Sequence, residues 1–337
     1  MLTLQEHTLL AKSPAIPGLS FRGFAGEGDY PKMLAVIEAS KHADQVERSD
    51  TLDDIRRNYS HLTNSDPYQD MLFAEINGEV VGYNRVWWEK QEDGTLLYNV
   101  VGFLNPDWRR KCLGTAMLQH AEARMRQIAA SHPEPGEKFF QVWVNGSEHG
   151  LQALLESQGY RPARYFCEMT RDINEPLPEA PMPPGLEIRP VTEAHYRPIF
   201  EAANEAFRDH WGFVERSFEE EFPHWIEDPD FNPSLWKVAW DGDQIAGMVQ
   251  NFVNAGENAE YNRKRGYTEG ISTRRPWRKL GLARSLLVQS IAMFKEMGMS
   301  ETALGVDAEN LSGALKLYQS VGYKEVKRSM SYRKPLD

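Results

Sequence analysis

Cysteine is nearly absent: the 337 residues include only Cys112 and Cys167. Two thiols cannot build a disulfide framework and fit a reducing compartment, so a cytoplasmic protein is expected and not a secreted scaffold. No Cys/His cluster has metal-ligand spacing, so no metal is expected. No stretch approaches the roughly 20 apolar residues of a membrane span. The N-terminus, MLTLQEHTLLAKSPAIPG, has no basic segment ahead of an apolar run, so neither membrane insertion nor a signal peptide is expected. Positive charge is also in deficit. A net charge of −11 argues against nucleic acid as a partner, because such binders need a cationic face. The basic run 274–279 (RRPWRK) is the local exception. What remains is ordinary for a globular protein: 41% hydrophobic and 26% charged residues, in a chain long enough to form two cores.

Proline is unevenly spread. Pro176, Pro178, Pro181, Pro183 and Pro184 all fall within 174–185 (NEPLPEAPMPPG). That density excludes helix and central strand and predicts a stiff linker. It separates a domain over 1–173 from one over 186–337. The two halves repeat each other. Leu19-Ser-Phe-Arg22 answers Leu186-Glu-Ile-Arg189 at an offset of 167 (186 − 19). Hairpins follow, Asn77-Gly78 before Val80-Val81-Gly82 and Asp241-Gly242 before Ile245-Ala246-Gly247, since both turn dipeptides tolerate positive φ. Arg109…Gly114 answers Arg278…Ala283 at 169 (278 − 109), and Gly159-Tyr160 answers Gly322-Tyr323 at 163 (322 − 159).

In the second half the patterns predict a strand at Leu186, helices over about 192–227 and a hairpin of 236–240 with 244–253. A strand over about 266–273, a helix over about 280–297, a short buried strand at 301–306, a helix carrying Ala314, Leu317, Tyr318 and Val321, and a last strand over about 326–332 follow. The class is α/β: a mixed, mostly antiparallel sheet with helices on its faces.

One connection carries chemistry. From Thr268 a strand runs into a basic loop and then a helix N-terminus, where free N–H groups and a partial positive charge suit a phosphate. Gly281 lets the backbone approach an anion, Ala283 stays small, and Arg278 and Lys279 add charge. The spacing Arg-x-x-Gly-x-Ala is neither a P-loop nor a Rossmann loop. In isolation it also fits a basic strand–helix turn that binds nothing.

With the downstream run Val306-Asp-Ala-Glu-Asn310…Ala314…Leu317-Tyr318…Gly322-Tyr323, the loop resembles the signatures of the GNAT superfamily of acyl-CoA-dependent N-acyltransferases. The resemblance covers about 186–332 and extends more weakly to the first half, implying two tandem GNAT-like domains. It implies acetyl-CoA as co-substrate, its pyrophosphate held over Arg278, Lys279, Leu280, Gly281, Leu282 and Ala283. Ile271, Ser272 and Thr273 would line the pantetheine arm, and Asn310 would complete the cofactor site. Tyr318 matches the acid that protonates the departing thiolate. The bland alternative is an apolar contact on its helix stripe. Glu269 is the candidate base, on one strand face with Ile271 and Thr273 by alternation; otherwise it is a solvated carboxylate. The acceptor, a small-molecule or peptide amine, is expected near Asp209, His210 and Trp211, where charge and aromatic faces suit a cation. Glu219–Glu221 read as a solvated acidic face. A longer acyl-CoA, or a non-catalytic acyl-CoA-binding module, stays open.

The first half departs from the pattern. Cys112 stands where the loop glycine belongs, Leu155 aligns with Tyr318, and Ser147 with Asn310. The first domain is therefore expected to keep the fold without the chemistry.

Overall fold

The computed structural model describes residues 13–310 and 313–336. They form two compact units, one running up to Ala163 and taking back Met330 onward, the other Arg164–Ser329.

The first unit contains β1 (Leu19–Arg22), α1 (Tyr30–Asp44), α2 (Leu52–Ser60), α3 (Pro67–Asp70), β2 (Met71–Ile76), β3 (Glu79–Lys90), β4 (Leu96–Leu104), α4 (Leu113–Ala129), β5 (Lys138–Asn145), α5 (His149–Ser157) and the first residues of β6 (Arg161–Asp172). Local chemistry sets these bounds. Thr51 and Asp54 form a reciprocal capping box at the start of α2, and Asn77 (φ 50°) with Gly78 (φ 85°) makes the two-residue turn between β2 and β3. Strands β1 to β4 pair antiparallel and β4–β5 pair parallel. The C-terminal residues complete this unit: Tyr332 is buried in the cluster of Tyr98, Met125 and Phe140, and Leu336 N–H donates to the Lys138 carbonyl.

In the second unit, β6 from Arg164 onward pairs antiparallel with β11 (Glu301–Asp307), from Asp172↔Glu301 to Phe166↔Asp307. The segment 174–186 is irregular, as its prolines dictate, and Leu177 and Met182 pack on this unit's core. There follow β7 (Glu187–Arg189), α6 (Tyr196–Phe207), α7 (Phe218–Glu227), β8 (Lys237–Asp241), β9 (Gln244–Phe252), α8 (Ala255–Glu260), β10 (Arg265–Thr273), α9 (Leu282–Glu296), then β11, α10 (Ala314–Ser320) and the first residues of β12 (Lys324–Pro335), whose remainder belongs to the first unit. The hairpin turn sits at Gly242-Asp243, one residue beyond the expected dipeptide, with Asp241 paired to Gln244. Helix α8 is an addition to the expected order of elements. One face of the sheet packs Val238, Ile245 and Met248 against Ile199 and Ala202 of α6; the other packs Ala246 and Val249 against Leu282 and Leu286 of α9.

Two irregularities position the site. Parallel pairing of β10 with β11 ends at Tyr267↔Ala303, although both strands continue. The register of β10 on β9 also slips between Glu269 and Ser272, a bulge at Gly270–Ile271. Gly270 has φ 57°, and a Cβ there would lie 2.3 Å from Gln250 Oε1. The bulge breaks the expected alternation. Glu269 and Ser272 pair with Gln250 and Met248 on the α6 face, whereas Ile271 packs with Leu286 and Leu287 of α9. Glu269 and Ile271 therefore do not share a face.

Candidate active site

Where β10 leaves β11, the parallel register, had it continued, would have paired Thr268 with Leu304 and then Glu269 with Gly305. Instead the Glu269 carboxylate takes the strand's hydrogen bond: Gly305 N–H donates to its Oε1 at 2.7 Å. Burial pushes this carboxyl up to about 7, opposed by that N–H and aided by nearby Glu168. Glu168 lies on β6, opposite Gly305, and is paired with Arg265 at 3.0 Å. A carboxylate with a raised pKa is a better proton acceptor near neutrality.

Tyr318 projects from α10 into the cluster of Cys167, Leu287, Phe294 and Val306, and is 6% exposed. Burial, then Glu269, then Tyr323 hold its phenol well above the ordinary tyrosine value, so it stays protonated. Its hydroxyl has no hydrogen-bond partner among the described residues. Tyr323 differs: its hydroxyl bonds both Thr268 (2.8 Å) and Thr302 (2.9 Å), which makes it part of the core.

The basic loop begins with a 3₁₀ turn, Arg275–Trp277, and reaches α9 through Lys279 (φ 64°) and Gly281 (φ 86°). No side chain caps α9, so its first N–H groups lack an internal acceptor. A Cβ at Gly281 would meet nothing within 4 Å, so the space before the helix is open. Leu282 is buried beneath the turn, Leu280 is exposed and Ala283 half-buried. The structure uses Arg278 differently from the expectation. Its Nε donates to the Thr273 carbonyl (3.0 Å), its Nη1 to Asp209 (2.8 Å) and its Nη2 to the Ala206 carbonyl (3.1 Å). It anchors the loop to the end of α6. Lys279 and Arg284 carry no ion pair among the described residues, and Arg284 Nε is buried without an acceptor. Sequence reasoning misses Arg284, although a cation in the first turn of the helix is a readable signal.

The acceptor candidates separate. Asp209 is taken up by Arg275 and Arg278, which hold its carboxyl well below the ordinary range. It is the loop's counter-charge and is not free for an amine. His210 lies edge-on to Phe207 at 4.8 Å, and burial lowers its pKa, leaving it neutral. Trp211 lies 6.2 Å from Phe166, with the Arg164 guanidinium 5.5 Å above it; Arg164 in turn holds Asp307 at the end of β11. Trp211 and His210 thus border the open end of β11. Asn310 sits in the turn before α10, its N–H donating to the Asp307 carbonyl. Ser272 and Thr273 each have a buried hydroxyl without a partner beside the bulge. Among the described residues no group of His, Cys, Asp and Glu could hold a metal ion, and no helix is long and apolar enough to cross a membrane.

Comparison with known proteins identifies the family. Residues 33–160 and 196–323 each match the Acetyltransferase (GNAT) family. The mycothiol acetyltransferase of Geodermatophilus obscurus is 24% identical over 311 residues, covering 90% of this chain and 93% of that protein. The Thermobispora bispora enzyme of the same name is 24% identical over 314 residues, 91% and 96%. Among solved structures, a GCN5-related N-acetyltransferase from Sphaerobacter thermophilus superposes with a TM-score of 0.70 at 26% identity, covering 94% of this chain and 96% of that one. A tandem GNAT protein from the clavulanic acid biosynthesis pathway superposes at 0.66 with 14% identity, covering 95% and 99%. The chain belongs to the GNAT family, with two GNAT domains in tandem, and is an N-acetyltransferase of a family whose co-substrate is acetyl-CoA.

Proposed function

We propose that this tandem GNAT protein moves the acetyl group of acetyl-CoA to a primary amine of a small molecule, and that the chemistry runs in its second unit. The observation that carries this reading is the carboxylate of Glu269 lodged where β10 leaves β11, close enough to Tyr318 to perturb its unpartnered phenol. Around that pair the roles follow from chemistry. The open N-terminus of α9, with Lys279 and Arg284, suits a pyrophosphate. Backbone N–H groups at the bulge at Gly270–Ile271, where the ladder to β9 is interrupted, suit the thioester carbonyl, whose oxygen gains negative charge on attack. Glu269 takes the amine proton, directly or through one water, and Tyr318 returns a proton to the departing thiolate. The acetyl–sulfur bond breaks as the acetyl–nitrogen bond forms, and the thiol leaves as free CoA. The name of the relatives, mycothiol acetyltransferase, favours a small-molecule acceptor over a protein tail. The test is thiol release from acetyl-CoA by the full chain across a library of small primary amines. Saturable, amine-dependent release that Glu269→Gln abolishes is expected; no release with any amine, or release untouched by that substitution, overturns the reading.

A further inference from the structure

The first unit offers a second binding site on the face that carries Glu269 in the second. Arg85 on β3 pairs with Val101 on β4, as Gln250 pairs with Glu269. Both Arg85 and Gln250 lie three residues beyond their hairpin glycines, Gly82 and Gly247. At this one place the second unit has a neutral amide beside a carboxylate, and the first has a cation beside an apolar residue.

Arg85 is not an ordinary structural arginine. Arg22, Arg57, Arg109 and Arg124 of the same unit each hold a carboxylate. No carboxylate or carbonyl among the described residues accepts from Arg85, and its Nε is buried without a partner. Its guanidinium lies 5.4 Å from the ring of Tyr59 and 5.0 Å from that of Trp87. Two aromatic faces steady a cation but do not neutralise it. A half-buried charge without a counter-charge is costly unless an anion arrives from outside. Access exists: the pairing of β4 with β5 ends at Asn99↔Gln141, and Tyr59, Trp87, Val101 and Phe103 all remain partly exposed.

We propose that the first unit binds a small monocarboxylate here. Its two oxygens would take the outer edge of the Arg85 guanidinium in a planar fork, and its apolar body would lie on the surrounding rings. The single charge follows from the count of free cations. Arg48, which lies over Phe103, is paired with Asp50, whereas Arg85 meets the Tyr59 side chain in a hydrogen bond and no carboxylate among the described residues; a phosphate dianion would need a second cation.

The probe is benzoate, titrated into the full chain with tryptophan fluorescence as readout. Saturable binding is expected, weakened at least tenfold in Arg85→Gln, which installs the second unit's own residue. Acetyl-CoA affinity and turnover should be unchanged in that variant. If Arg85→Gln melts early, Arg85→Lys serves instead: it keeps the charge, loses the fork, and should weaken benzoate by several-fold. No saturation with benzoate, equal affinity in the variants, or tighter binding of inorganic phosphate overturns the proposal.

Discussion

The two units build the same connection between strand and helix and differ in what faces its open side. In each, a 3₁₀ turn leads to an arginine whose Nε donates to the last strand carbonyl, Leu104 for Arg109 and Thr273 for Arg278. In each, that arginine grips an aspartate at or beyond the end of the first long helix, Asp44 or Asp209. These residues hold the loop, and both copies keep them. The units diverge along the strand that precedes the loop. Gly82 and Trp87 are five residues apart (87 − 82), as are Gly247 and Phe252 (252 − 247). Their partners Leu104 and Asn99 are also five apart (104 − 99), but Thr273 and Tyr267 are six (273 − 267). The extra residue is the bulge, present in β10 and absent from β4. Val101 stands in register for Glu269, Thr115 for Arg284, and Leu155, fully buried, for Tyr318. The residues that hold the loop and those proposed for the chemistry are thus separable sets, a division that each of the following experiments can break or sharpen.

The largest effect should come from cutting the chain at its proline-rich segment. A fragment of 186–337 carries every predicted catalytic residue but lacks β6, which pairs along the whole of β11 and buries Cys167 and Met169 beside Tyr318. Burial of Met169 alone contributes about 1.5–3 kcal/mol, a sizeable share of a domain's roughly 5–15 kcal/mol, before Cys167 or any strand pairing is counted. The fragment should show no cooperative melt by near-ultraviolet circular dichroism and no saturable acetyl-CoA binding, and extending it back to Arg164 should restore the second unit's melt. A cooperative melt of 186–337 alone would make β6 dispensable.

Within the full chain, Glu269→Gln should lower kcat by roughly 10²–10⁴-fold, the range of positioned proton transfer, while Val101→Gln leaves it unchanged. The sign of the pH dependence is fixed. The base works deprotonated, so kcat/KM should rise with pH through about 7 and level off, and Glu269→Gln should lose that limb. The same carboxyl binds its proton more tightly folded than unfolded, against an ordinary value of 4.5. Stability should therefore fall as pH rises from about 4.5 to about 7, and the fall should be smaller in the glutamine variant. Tyr318→Phe should cost about 10²-fold in kcat with little change in acetyl-CoA affinity. Leu155→Ala should do the reverse, lowering stability by about 2–5 kcal/mol with turnover of the folded protein kept. Equal kinetic damage from both would erase the asymmetry between the units.

Much of this is legible in the order of the amino acids alone. The repeat, the strand–helix order, the glycine at the head of α9 and the pairing of Leu155 with Tyr318 are local patterns, readable by period and spacing. What escapes is non-local or a matter of single residues. Arg278 and Asp209 are 69 residues apart, and nothing in either predicts the other. Residues 164–172 read as the end of the first half, because sequence order cannot say on which unit a strand will pair. The bulge hides in plain offsets: the drift to 169 reads as loop length unless the flanking glycines and arginines are matched through the ladder.

The smallest effect concerns the residue before each loop helix. Gly281 has φ 86° and Cys112 has φ 61°, both left-handed, a region that costs an L-residue about 1–2 kcal/mol. Cys112→Gly removes that cost but adds about 0.5–1 kcal/mol of unfolded-chain entropy, so a net gain of about 0.5 kcal/mol is expected, a rise of at most a few degrees in the first unit's Tm by calorimetry. Gly281→Ala should lose stability by a similar small amount, since its Cβ would touch no protein atom within 4 Å. Any fall in acetyl-CoA affinity beyond that loss then reports on the bound anion, because the added methyl has nothing else to meet. A Gly281→Ala protein that binds acetyl-CoA as tightly as the parent would show that the backbone before α9 does not approach the pyrophosphate, leaving Lys279 and Arg284 to hold it alone.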